Sequence, residues 1–150
     1  MIKTPELKKQ NLEDLMFDND LTVAELARKV KIQYKTISNY YKGEYMPSIK
    51  NAIKLADFFN CSLDFLVGLS DEEGFGKYTT PTLNFYEIYK KELGSQNLSH
   101  YRLAKDTNIN MNDTEKWKKG SIPSLANLIK IADYLSVSID SLIGREKIKE

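Results

Sequence analysis

Leu21-Thr22-Val23-Ala24-Glu25-Leu26-Ala27-Arg28-Lys29 returns later in the chain as Leu98-Ser99-His100-Tyr101-Arg102-Leu103-Ala104-Lys105-Asp106. The match continues well beyond these nine positions. Ile32 answers to Ile109, Tyr40 to Trp117, and Lys42-Gly43 to Lys119-Gly120. One residue is lost where Tyr45-Met46-Pro47 becomes Ile122-Pro123, and register then resumes. Ile53-Lys54-Leu55-Ala56-Asp57-Phe58 pairs with Ile129-Lys130-Ile131-Ala132-Asp133-Tyr134. Ser62-Leu63-Asp64-Phe65-Leu66-Val67-Gly68 pairs with Ser138-Ile139-Asp140-Ser141-Leu142-Ile143-Gly144. So long a match with one gap means duplication of a single small unit.

The repeated unit reads as helices throughout. Leu12, Leu15 and Met16 lie on one side of an amphipathic stretch from Leu7 to Phe17, which Asp18-Asn19-Asp20 ends. Thr22 with Glu25 three residues on is a capping-box pattern, so a second helix starts there and buries Leu26, Ala27 and Val30. Lys31-Ile32-Gln33 makes a tight turn into a third helix, with Ile37 and Tyr40 inward and Gly43 as its left-handed stop. Ser48 caps a fourth helix whose expected buried stripe is Ile49, Ile53, Leu55, Ala56 and Phe59. A short fifth helix runs from Ser62 to Val67 and closes at Gly68. The expected fold is all-α, with five helices in each of two domains at 1–70 and 82–150. The segment 71–81, with two glycines, an acidic cluster and Pro81, reads as a linker, which Phe75 and Tyr78 are able to dock.

Composition excludes several classes of function. The single cysteine, Cys61, allows neither an intramolecular disulfide nor a multi-cysteine zinc site, and it aligns with Val137 as a small buried apolar residue. His100 is the only histidine and has no ligand partners around it in sequence. No nucleophile, base and orienting group come together, so the chain is read as a non-enzyme without metal, cofactor or evident small-molecule ligand. No signal-peptide core and no apolar run near the length of a membrane span are present, which fits a cytoplasmic protein. The net charge is only +1, so any nucleic acid must be met by local charge on one face.

The motifs together resemble the Cro/C1-type (XRE) helix-turn-helix family of lambda-repressor-like transcriptional regulators. The first copy carries the pattern in Leu26-Ala27, Ile32, Thr36-Ile37-Ser38, Gly43, Pro47, Leu55-Ala56 and Ser62-Leu63-Asp64-Phe65-Leu66. The resemblance covers about residues 7–69 and again 83–145. It implies double-stranded DNA as partner, with the third helix in the major groove. The base-facing positions it implies are Gln33, Tyr34, Lys35, Ser38 and Asn39. Gln and Asn can pair bidentately with adenine, and Lys donates to guanine acceptors. Thr22 and Lys42 fall at phosphate-type positions. In the second copy the matching residues are Asn110, Met111, Asn112, Glu115 and Lys116, with Ser99, His100 and Lys119 toward phosphates.

The second copy departs from the pattern. Asp113 and Glu115 replace Thr and Ser, and Thr114 stands at the buried Ile position. Both copies lack the usual turn glycine, having Lys31 and Asn108. The second copy is therefore the weaker reader. The leading expectation is a sequence-specific transcriptional regulator, a repressor, whose tandem modules read two half-sites. An alternative gives DNA to the first copy only, the second serving as a protein-interaction module that forms a homodimer through Leu142 and Ile143. A third makes the whole chain a partner-binding protein of antirepressor or antitoxin type.

Overall fold

The computed structural model describes residues 9–149, and the chain divides into two compact units, Pro5–Lys77 and Tyr78 onward. Leu7, the expected start of the first helix, lies outside the described residues. Among these residues every regular element is helical, and the only β pairing is a single antiparallel bridge, Tyr78 with Lys147.

The first unit holds α1 (Lys9–Asp18), α2 (Val23–Val30), α3 (Tyr34–Tyr41), α4 (Ile49–Phe59) and α5 (Leu63–Val67). Each of α2, α4 and α5 begins at a hydroxyl cap: Thr22, Ser48 and Ser62 accept from the backbone amides of Glu25, Asn51 and Phe65. Such caps satisfy amides that the first turn leaves open, worth about 1 kcal/mol each. Leu12, Leu26, Ile37, Leu55, Leu63 and Leu66 are wholly buried and join the five helices in one core. Each such side chain contributes about 1.5–3 kcal/mol of burial. Cys61 is likewise fully buried. The α4 stripe differs from expectation. Ile49 and Ile53 are only half-buried, while Ala52, Leu55, Ala56 and Phe59 are covered.

The second unit holds α6 (Phe85–Ser95), α7 (His100–Thr107), α8 (Asp113–Lys118), α9 (Leu125–Leu135) and α10 (Ile139–Leu142). Leu103, Leu128, Ile129, Ile131, Ile139 and Ile143 are fully buried. Leu142 is 1% exposed and Ile143 0%, so the dimer contact expected from these two residues is ruled out: both are core.

Residues 71–77 belong with the first unit and 78–81 with the second. Ser62 N donates to Glu73 O at 3.0 Å, and Gly76 N to Asn60 O at 2.8 Å. Thr79 N donates to Glu146 O at 2.7 Å and Leu83 N to Ile143 O at 3.0 Å. Phe75 stays 54% exposed, so it does not dock this segment; Tyr78 does, lying 4.0 Å from the Arg145 guanidinium.

Candidate nucleic-acid interface

The geometry of α3 starts from the turn before it. Lys31 adopts the left-handed conformation (φ 59°) usually given to glycine, and its amide donates to Ala27 O. Ile32 then buries against the core, and α3 begins at Tyr34, preceded by Gln33, whose side chain makes no cap bond. The missing cap leaves the Gln33 amide unspent. Ile37 and Tyr40, three residues apart, are the buried anchors of α3. Three- and four-residue spacing then puts Lys35, Ser38, Asn39 and Lys42 along another face. Lys35 and Lys42 are exposed, Ser38 and Asn39 half-buried, and Tyr34 stands 60% exposed. The side-chain polar groups of Gln33, Tyr34, Lys35, Ser38, Asn39 and Lys42 make no hydrogen bond or ion pair among the described residues. The helix carries no carboxylate.

Thr22 is more committed than its phosphate-type position implied. Its hydroxyl accepts from Glu25 N at 3.2 Å and donates to Glu25 Oε1 at 3.0 Å, while Thr22 N donates to the same oxygen. Those bonds from Thr22, with help from Arg28 and Lys29, hold the Glu25 carboxyl below its usual range. A phosphate at this helix start meets the capped N-terminus, with the Thr22 hydroxyl already engaged.

The second unit builds the same site differently. Asn108 takes the left-handed turn (φ 60°), as Lys31 does. Asn110 Oδ1 then accepts from Asn112 N at 2.9 Å, and Asp113 N donates to Asn110 O. The short Asn side chain closes this local turn, which competes with helix; Gln33 in the first unit makes no such bond. Helix α8 therefore starts at Asp113, and Asn110, Met111 and Asn112 lie in the turn before it. Met111 is 47% exposed and Asn112 is open, but the Asn110 acceptor is used. On α8, Lys116 lies 3.9 Å from Asp113 and Lys118 3.3 Å from Glu115. Two of the lysines facing solvent are thus balanced by carboxylates on their own helix; Lys119 is exposed beside them.

His100 is a correction to the expected phosphate contact. It is half-buried, with Nδ1 2.6 Å from the Tyr89 hydroxyl and Nε2 bonded to Thr114 Oγ1. Both ring nitrogens are spent inside the unit. Burial holds the imidazole below its ordinary value, helped by Lys118 and opposed by a hydrogen bond to the Met111 backbone. Burial also keeps the Tyr89 hydroxyl protonated by pushing its pKa up. Trp117 packs edge-on against Phe85, Tyr89 and His100 at 5.3, 5.5 and 5.8 Å. Ser99 caps α7 by accepting from Arg102 N. Sequence reasoning missed this network, although a threonine in place of a buried isoleucine was its signal: a buried hydroxyl needs a partner.

Sequence reasoning also missed the buried ion pair of Arg145 with Asp140, 2.5 Å apart. Among the described residues no group of three or more histidine, cysteine or carboxylate side chains is placed to hold a metal ion. No described helix is long and apolar enough to cross a membrane.

Comparison with known proteins matches both units. The helix-turn-helix family pattern covers residues 18–66, and that of the Cro/C1-type HTH DNA-binding domain covers residues 90–147. An uncharacterised HTH-type transcriptional regulator of Archaeoglobus fulgidus is 42% identical over 57 residues, which is 38% of this chain and 81% of that protein. The cryptic phage CTXphi transcriptional repressor RstR of Vibrio cholerae is 36% identical over 61 residues, 37% of this chain and 54% of its own length. The crystal structure of a transcriptional regulator from Listeria innocua overlaps 70% of this chain and 90% of its own, with 26% identity and a TM-score of 0.41.

Proposed function

The chain belongs to the helix-turn-helix family of transcriptional regulators, and from that premise we infer that it represses transcription by binding double-stranded DNA through two tandem modules. The observation that carries this reading is the state of α3. Its buried side is pinned by Ile37 and Tyr40, while the polar groups of Gln33, Lys35, Ser38 and Asn39 are engaged by nothing in the first unit. A surface helix that holds amide and ammonium groups in reserve, without a carboxylate, is suited to base edges in the major groove. Lys42 and the capped start of α2 are suited to the flanking phosphates.

The second unit contributes a different and less discriminating half-site. Asn112 and Lys119 are its open polar groups, Lys116 is paired with Asp113, and the carboxylates of α8 oppose close approach of phosphates. Because the two reading surfaces differ, the operator is asymmetric. One chain supplies both modules, so a homodimer is not required. The chain works in the cytoplasm and has no catalytic role.

Selection of bound duplexes from random DNA by the full chain tests this. The expected product is two unlike half-sites about one helical turn apart, the first better defined. Recovery of one half-site limits reading to the first unit. Recovery of no motif, together with an affinity that salt does not change, overturns DNA binding altogether.

A further inference from the structure

The structure points to Arg145 as a positioning residue that fixes the spacing at which two half-sites are read; this rests on the tandem reading above. Arg145 is 1% exposed, although arginine is almost never fully buried without a partner. Its Nη1 lies 2.5 Å from Asp140 Oδ1, and its guanidinium covers the Tyr78 ring at 4.0 Å. Tyr78 is the first residue of the second unit. The buried cation thus holds the entering chain against the end of the same unit.

Main-chain bonds extend this clamp. Tyr78 forms an antiparallel bridge with Lys147. Thr79 N donates to Glu146 O at 2.7 Å, and Glu146 N donates back to Thr79 Oγ1 at 2.9 Å. Thr82 N and Leu83 N donate to Gly144 O and Ile143 O. Gly144 is required here: it sits at φ 74°, and a Cβ on it would collide with the Thr82 side chain. On the other side, the first unit holds its own exit as far as Gly76, through Asn60 O. Lys77 alone lies between the two fastened segments.

With Gly76 and Tyr78 both fastened, the single free residue lets the tether span only about 7 Å, roughly the rise of two base pairs. Releasing Tyr78 to Leu83 adds six residues and about 20 Å of reach. That is enough to absorb several base pairs of added spacing. Simultaneous binding is lost where a tether cannot span its sites, so the clamp converts tether length into spacing selectivity.

The test uses the full chain on duplexes carrying both selected half-sites at the recovered gap and at gaps two to four base pairs longer. The wild type is expected to lose at least about tenfold in affinity at the longer gaps, the low end of typical avidity gains. Arg145→Met should flatten the profile to within about threefold, and so should a Gly-Ser insertion after Lys77 that leaves both units intact. Removing Arg145 takes the ion-pair cation from buried Asp140, so a milder variant, Tyr78→Ala with Thr79→Ala, loosens the clamp while retaining the ion pair. Trp117 fluorescence confirms that the second unit is folded in each. A flattened profile in the insertion and in either clamp variant supports the role. Clamp variants as selective as the wild type, or a wild type as tolerant as the insertion, overturn it. If selection recovers one half-site only, the tandem reading itself has failed, and the proposal with it.

Discussion

Asn51 Nδ2 donates to the Tyr40 hydroxyl at 3.0 Å, fastening the last turn of α3 to the first turn of α4. Asn51 is itself held, since its backbone amide is the one capped by Ser48. The reading helix of the first unit is thus fixed at its far end by a polar bond and at its middle by Ile37. In the second unit Trp117 replaces Tyr40, and an indole offers a donor but no acceptor for Asn127, which stands in the place of Asn51. Fixation there passes instead through His100, Tyr89 and Thr114.

Tyr40→Phe should therefore cost the first unit about 1 kcal/mol, the net worth of one intramolecular hydrogen bond. Half-buried Asn51 can regain water, so the loss stays near that value. Hydrogen exchange of the α3 amides checks it: faster exchange is expected in α3 and unchanged exchange in α8. Equal protection in the variant would mean that the bond does not hold the helix.

On DNA, side chains that read bases and side chains that position the helix separate by their salt behaviour. Lys35→Ala or Asn39→Ala should cost about 1–3 kcal/mol of discrimination at one or two base pairs. Lys42→Ala should weaken all sequences alike and reduce the salt slope by about one. Binding titrations on the selected operator and on single-base variants, at several salt concentrations, distinguish these outcomes. Uniform weakening by Lys35→Ala would move Lys35 to the phosphate group.

Much of this was legible in the sequence, because the helices here announce their ends chemically. Thr22 with Glu25, Ser48 and Ser62 mark starts, and the repeat transfers each reading to the other copy. Leu26, Ile37 and Leu55 followed from spacing alone. What stayed hidden were interactions that no local pattern encodes. His100 sits on the surface in any linear reading, yet it meets Tyr89 from α6 and Thr114 from α8 only after folding. Nothing in the sequence around Arg145 signals its burial, which depends on its pairing with Asp140 and on Tyr78, far away in sequence. Leu142 and Ile143 looked available for a partner because a four-residue helix gives too little periodicity to show which face is covered.

Acid should destabilise the second unit through His100. Burial holds its folded pKa below the ordinary 6.5, so the unfolded chain binds this proton more readily. The stability contributed by the neutral ring is present above about pH 6.5 and is lost as the pH falls through the lower folded value. Lys118 adds to the effect by repelling the imidazolium. Urea unfolding followed by Trp117, the only tryptophan, is expected to show a lower midpoint at pH 5.5 than at pH 7.5. In His100→Gln that part of the pH dependence should vanish. A midpoint that rises on acidification would contradict a ring held neutral by burial.

The carboxylates of α8 decide how far the second unit takes part in binding. Asp113 and Glu115 each pair with a lysine one turn on, at 3.9 and 3.3 Å, and these pairs are largely open to solvent. Exposed pairs of this kind contribute about 0–1 kcal/mol, so Asp113→Asn with Glu115→Gln should leave stability nearly unchanged. A small loss is expected because both acids lie in the first turn of α8, where negative charge favours the helix. The effect on DNA is much larger if phosphates lie nearby: two repelling charges disappear and Lys116 and Lys118 are released. Each additional phosphate contact steepens the salt dependence by about 0.9 in the log–log slope, so the double variant should bind more tightly at low salt with a slope steeper by up to about two. Anisotropy titrations from low to physiological salt measure it directly. A slope identical to that of the wild type would place α8 away from the backbone and leave the first unit as the sole reader.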